Sequence, residues 1–262
     1  MKNNNPKILV LSDMKSTSDK VLKNTLELAK LVNGNVSFFH VKKPTEVVER
    51  ESQLSAVRTI NEKYIATDKE IKSLIDSVSE NEKTKITYNY AFGNIKEEIR
   101  TKINEIKPDI VVLGKRKPKV LKFIGDNVTD FVLNKYNGPV MIASEHKVLE
   151  AKKDLSLGIL NQSDKIVENT LTQNLIEKTN RPLKSFAIGK DQNAEGKAVS
   201  TLGKNTVEYV FEDNSNTMKT IADYIDRNEI SLVCVDRSTG KSGKRNYTKA
   251  GISKLNVSLL VT

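Results

Sequence analysis

At 262 residues the chain can form one large or two small domains with a sizeable buried core. Apolar residues make up 37% and charged residues 29%, which excludes a disordered composition, and no apolar run approaches the roughly 20 residues of a membrane span. The 43 basic and 33 acidic residues leave a net charge of +10, spread over both halves, which favours phosphate-bearing partners.

The opening MKNNNPKILVLSD has no apolar stretch of secretory length, and a single cysteine, Cys234, excludes an internal disulfide framework. A soluble, cytoplasmic protein with no membrane partner is expected. Aromatic residues are only 5% and tryptophan is absent, so there are few rings on which bases could stack. The positive charge reads first as a solvated, lysine-rich surface, not as a nucleic-acid platform.

In chain order, ILVL at 8–11 is an apolar, β-branched run of the kind buried on both faces of a sheet. Ser18 is placed to cap a helix carrying Val21, Leu22, Leu26, Ala29 and Val32 at helical spacing, and Asn33-Gly34 stops it. VSFFHV at 36–41 is a second strand, followed by a long helical stretch from about Thr45 to Ser79 with Pro44 at its entry. ITYNYAF at 86–92 is a third strand, and Asn94 caps a helix containing Ile95, Ile99, Ile103 and Ile106, which Pro108 ends. DIVVLG supplies a fourth strand, residues 127–136 a short helix, and PVMIAS at 139–144 a fifth strand.

The second part repeats this order with SLGIL, a helix from Asp164, LKSFAI, VEYVF, a helix from Asn216, SLVCV and VSLLV. SDKVLKNTL at 18–26 and SDKIVENTL at 163–171 share six of nine residues, PDIVVLGKRKPK matches ISLVCVDRSTGK, and PVMIAS matches VSLLVT. The blocks follow one order twice, which implies a tandem duplication. The expected units are residues 1–145 and 155–262 with a linker at 146–154. The stretch between the second and third strands of the second unit, about 190–204, is too short for the long helix of the first. Strand–helix alternation with buried strands predicts an α/β fold of two doubly wound, five-stranded parallel-sheet units, each wrapped around its own sheet.

Ligands of such sheets sit beyond the carboxyl ends of the strands, where strand order reverses. This selects Asp13, Val41 and the loop after Leu113-Gly114, which runs Lys115-Arg116-Lys117-Pro118-Lys119. The corresponding loop of the second unit holds Arg237, Lys241, Lys244, Arg245 and Lys249, so both copies place positive charge where phosphates would lie. Thr239-Gly240-Lys241-Ser242 is not a P-loop, because Val235 stands where its first glycine belongs. His40 reads as a packed imidazole, Cys234 as a small buried hydrophobe, and two histidines with one cysteine are too scattered for a zinc site. Ser16, Thr17 and Ser18 have no base beside them. No catalytic residue is assigned.

The layout ILVLSD…SDKVLKNTLELA, then FFHV, then a strand ending in Leu-Gly, then VTDFVL…GPVMI, resembles the universal stress protein family, closely in the first unit and faintly in the second. The resemblance implies a five-stranded α/β (Rossmann-like) unit, and in one subgroup of the family ATP or AMP binding. There, an aspartate ending the first strand meets adenine, matching Asp13, and the residue closing the second strand lines the base pocket, matching Val41. The phosphate loop of that subgroup, G-x-x-G-x9-G-[ST], finds its first glycine in Gly114. The implied nucleotide contacts are therefore Asp13, Val41, Leu113, Gly114, Lys117, Gly125, Asp126, Asn127 and Val128.

This sequence departs from that pattern. Lys117 occupies the second glycine position and brings a Cβ where close backbone approach is needed. Asp126-Asn127 stands where Gly-Ser is expected, one residue short, with Gly125 beside it. In the second unit Asn161 replaces the aspartate and Asp236 the first glycine, which marks a degenerate copy. The expectation is a non-catalytic stress-response protein, regulatory or ligand-sensing, with weak ATP or AMP binding in the first unit. The two units are expected to pair through their fifth strands, and two chains to associate as a homodimer. The alternatives are a weak ATP-hydrolysing enzyme using the first site, and a basic nucleic-acid-binding protein.

Overall fold

A computed structural model describes residues 5–43, 53–79, 84–115, 128–150, 154–161, 164–189, 205–237 and 255–262. The first half runs β1 (Lys7–Ser12), α1 (Ser18–Val32), β2 (Asn35–Lys42), α2 (Gln53–Ser79), β3 (Ile86–Phe92), α3 (Ile95–Ile106), β4 (Ile110–Gly114), α4 (Val128–Lys135) and β5 (Val140–Ala143). The second runs β6 (Leu157–Leu160), α5 (Asp164–Glu168), α6 (Thr170–Lys178), β7 (Leu183–Ile188), β8 (Thr206–Phe211), α7 (Thr217–Arg227), β9 (Leu232–Val235) and β10 (Ser258–Val261). The fold is α/β, and within each half every paired strand is parallel to its neighbours.

The strand order is β3-β2-β1-β4-β5-β10-β9-β6-β7-β8, so the same doubly wound order occurs twice, once in each direction. The two sheets expected to be separate are instead one. β5 and β10 pair antiparallel, Leu259 with Ile142, Leu260 with Met141 and Val261 with Val140. The physical reason is that each fifth strand is apolar on both faces and would otherwise be an unpaired edge, which sheets avoid exposing.

The core divides by face of the sheet, not by half. One buried cluster joins Ile8, Val10, Phe38 and Met141 to Leu157, Ile159, Leu183 and Leu260 beneath α1, α2, α5 and α6. The other joins Leu9, Leu11, Phe39 and Ile142 to Leu160, Phe186, Val233 and Leu259 beneath α3, α4 and α7. Strand side chains alternate between faces, so these clusters also fix which residues of the halves correspond. Leu157 and Leu160 take the places of Ile8 and Leu11, while Leu259 and Leu260 take those of Val140 and Met141. Asn161 therefore stands at the place of Ser12, not of Asp13. The ungapped match of PVMIAS to VSLLVT likewise shifts by one residue.

Local chemistry explains most element ends. Asn94 caps α3, its side chain accepting from the backbone N–H of Lys96 and Glu97. Asn33 ends α1 in the left-handed conformation with φ 53°. Ser18 does not cap α1. Its hydroxyl is bonded to that of Ser12 at 3.0 Å, and the hydroxyl of Thr17, the residue at the cap position, donates to Glu145 at 3.3 Å. Pro44 and residues 45–52 at the expected start of the long helix lie outside the described residues.

Candidate functional site

β1, β2 and β4 end side by side, and their carboxyl ends open into a cleft of about 690 Å³, counting its solvent-filled mouth. Its floor is apolar: Leu11, Phe39, Val41, Ile95, Ile99, Leu113 and Val128. Its rim is polar: Ser12, Asp13, Thr17, Ser18, Lys115, Thr129 and Glu145. The first turns of α1, α3 and α4 face the opening, which adds the partial positive charge of three helix amino ends.

The turn after β1 positions the rim. The Ser12 hydroxyl accepts from the Met14 N–H at 3.1 Å, and Met14 takes the left-handed conformation with φ 55°. Asp13 is thereby displayed at the cleft mouth, where its carboxylate receives the Lys15 N–H at 3.3 Å and lies 3.6 Å from the Lys15 ammonium. Gly114 brings β4 against α1, and a Cβ placed on it would lie 2.8 Å from Val21 Cγ2. Only a residue without that atom leaves the wall as it is.

Lys115 is half-buried. Its N–H donates to the Ala143 carbonyl at 3.0 Å, and its ammonium crosses to the second half to donate to the Leu255 carbonyl. Burial lowers its proton affinity, and the Glu145 carboxylate opposes that shift. His40 is buried beneath the rim with Nδ1 2.9 Å from the Ser12 carbonyl, a packed imidazole as the sequence indicates. Cys234 is buried in β9, where burial pushes its thiol up to about 12. Among the described residues no cluster of His, Cys, Asp or Glu is arranged to hold a metal ion, and no helix is long and apolar enough to cross a membrane.

Of the residues singled out in the sequence, the structure brings Asp13, Val41, Leu113, Gly114 and Val128 to this one cleft. Lys117, Gly125, Asp126 and Asn127 lie outside the described residues. Glu145 was not foreseen. It follows β5, the neighbour of β4, and the rule that ligands lie beyond strand ends would have reached it had the fifth strand been included.

In the second half Asp236 sits at the Gly114 position and is only 3% exposed, so a buried carboxylate stands where the first half has no side chain. Asn161 turns back on its own sheet, its side chain accepting from the Ile188 N–H at 3.1 Å.

Residues 4–144 match the sequence profile of the universal stress protein family. The chain belongs to that family. No curated protein sequence matches it. Among solved structures, this member of the universal stress protein family is similar over its whole length to a universal stress protein from Archaeoglobus fulgidus DSM 4304. The identity is 14% and the TM-score 0.68, with 97% of each chain covered. It is also similar to a protein of unknown function from Pseudomonas aeruginosa PAO1, at 12% identity and a TM-score of 0.57, with 98% of this chain and 92% of that one covered. At these identities the likeness speaks for the fold, and it extends through both halves.

Proposed function

We propose that the cleft of the first half binds an adenine nucleotide, ATP or AMP, and that the protein acts in the stress response as a ligand-sensing regulator, not as a catalyst. The observation that carries this reading is the convergence of Asp13, Val41, Leu113, Gly114 and Val128 on one cleft whose floor is apolar and whose rim is polar. A flat base suits the floor between Phe39, Val41 and Leu113. The Asp13 carboxylate is an acceptor for an exocyclic amine, and Gly114 allows a ligand to approach the backbone closely. The net charge of +10 favours the phosphates electrostatically, with Lys117, Gly125, Asp126 and Asn127 as their proposed contacts.

The repeated strand order supports a further part of the reading. The chain is a duplicated unit, 1–145 and 155–262 joined by 146–154, in which Asp236 and Asn161 stand where the first copy has Gly114 and Ser12. Among the described rim residues the hydroxyl of Thr17 is held by a carboxylate, that of Glu145 at 3.3 Å at the start of α1, and we read that pair as a tie between α1 and the segment after β5.

Calorimetric titration with AMP and ATP tests the proposal, together with mass spectrometry of nucleotide released from the purified protein. The expected result is saturable binding that Asp13→Ala weakens by about tenfold or more, the effect of a charge-assisted hydrogen bond. ATP incubated with the protein is expected to release no phosphate above background. An absence of binding at millimolar nucleotide overturns the sensing role, and phosphate release abolished by Asp13→Ala replaces it with an enzymatic one.

A further inference from the structure

The two halves hold each other through a pair of matching cationic contacts. Lys115, the first residue after β4, donates to the carbonyl of Leu255, which lies four residues before Leu259 of β10. Arg237, which follows Asp236 after β9, donates to the carbonyls of Tyr136, four residues before Val140 of β5, and of Gly138 at 2.6 Å. Leu259 and Val140 correspond, as do Asp236 and Gly114, so these contacts are one interaction made twice, each half reaching into the other.

The two clamps are not equal. Arg237 uses both ends of a rigid planar fork on two carbonyls. Lys115 holds a single neutral carbonyl with a flexible four-carbon stem, and it alone of the two forms part of the cleft rim.

We propose that Lys115 couples the cleft to the junction: its ammonium exchanges between the Leu255 carbonyl and an anionic group of the bound nucleotide, so that filling the cleft opens one clamp and leaves the Arg237 clamp closed. The inference rests on the nucleotide reading of the cleft. The driving difference is the Coulomb attraction that an anionic oxygen offers the ammonium and a neutral carbonyl does not. A ligand shifts an arrangement only through such a differential contact, and any coupling acts equally in both directions. Burial already depresses the proton affinity of Lys115, so an incoming anion also stabilises its charged form.

The test uses the full chain with AMP and ATP as probes, calorimetry for binding and amide hydrogen exchange for the junction. On nucleotide binding, exchange in 255–262 is expected to rise about tenfold, while 136–138, held by Arg237, stays unchanged. Lys115→Met keeps the stem and removes the ammonium. Without ligand it is expected to show the faster exchange in 255–262 already, and nucleotide is expected to add nothing. Nucleotide that binds the wild-type chain and leaves 255–262 unchanged overturns the coupling while sparing the nucleotide site, as does a Lys115→Met chain that responds like the wild type. A wild-type chain that binds neither nucleotide in the calorimeter overturns the site itself, and the coupling with it. Lys115→Met with ligand-free exchange equal to the wild type removes the clamp independently of any ligand.

Discussion

Met141 and Leu260 hold corresponding places in the two halves, and they are paired with each other across the β5–β10 junction. A residue that meets its own counterpart marks the pseudo-two-fold axis of the molecule, which passes through this pair. Both side chains are fully buried in the face shared by α1 and α6. Removing either leaves a cavity at the point where the two halves share one core. Met141→Ala and Leu260→Ala are each expected to cost about 2–5 kcal/mol in urea unfolding. Because the core divides by face, each variant should still unfold in a single transition. Two separated transitions in either variant would mean that each half has its own core.

Asn24 and Asn169 occupy the same place in the repeated SDK…NTL segment and do different work. Asn24 lies inside α1, fully buried, with its amide donating to the carbonyls of Lys20 at 3.0 Å and Ser144 at 3.1 Å. Its side-chain oxygen receives the Leu149 N–H at 2.9 Å and the Ser258 hydroxyl at 3.3 Å, tying α1 to the segment after β5 and to β10. Asn169 breaks the helix instead and caps α6 through the Leu171 and Thr172 N–H groups. Asn24→Ala leaves several buried groups unpaired and is expected to cost about 3 kcal/mol, against about 1 kcal/mol for Asn169→Ala. Equal losses in denaturant melts would show that the buried network does not stabilise the junction.

This pair also shows what could be read from the sequence and what could not. The strands and their order were legible, because runs such as ITYNYAF and LKSFAI carry their own signal, and β3 and β7 match them residue for residue. The recurrence of one strand order and the cleft at the ends of β1, β2 and β4 followed from the same patterns. The union of two sheets into one did not, because local periodicity describes the faces of a strand and not its outer neighbour. Nor did the correspondence of Asn161 with Ser12, where a shift of one residue inverts the faces and only the packed core decides. Lys115 showed in sequence as one cation of a basic loop; its reach to Leu255 needed the second half folded beside it.

Gly114 is held by contact, not by backbone conformation. A Cβ there would meet Val21 Cγ2 at 2.8 Å, closer than packed carbon atoms approach. Gly114→Ala is expected to destabilise the chain by about 1–3 kcal/mol, as overpacking does. Trimming the opposing side chain should return part of the loss. The double variant Gly114→Ala with Val21→Ala is expected to be more stable than the sum of the single effects by about 1 kcal/mol, in a double-mutant cycle followed by thermal or urea unfolding. Additive effects would place the strain elsewhere along β4.

Tyr136 gives the junction a dependence on alkaline pH. Its hydroxyl donates to the Pro108 carbonyl at 2.7 Å, and burial pushes its pKa from 10.0 up to about 12, with Asp109 adding to the shift and Arg237 opposing it. A group whose pKa is raised by folding stabilises the folded state fully below its unfolded value and loses that contribution as pH climbs to the folded value. Stability is therefore expected to fall between about pH 10 and 12 as the unfolded chain releases this proton first. Tyr224, raised to about 12 chiefly by burial, adds to the same slope. Tyr136→Phe should be less stable at pH 8, through loss of the bond to Pro108, yet show a shallower decline above pH 10 in urea titrations. A slope unchanged by the substitution would assign the alkaline transition to other groups.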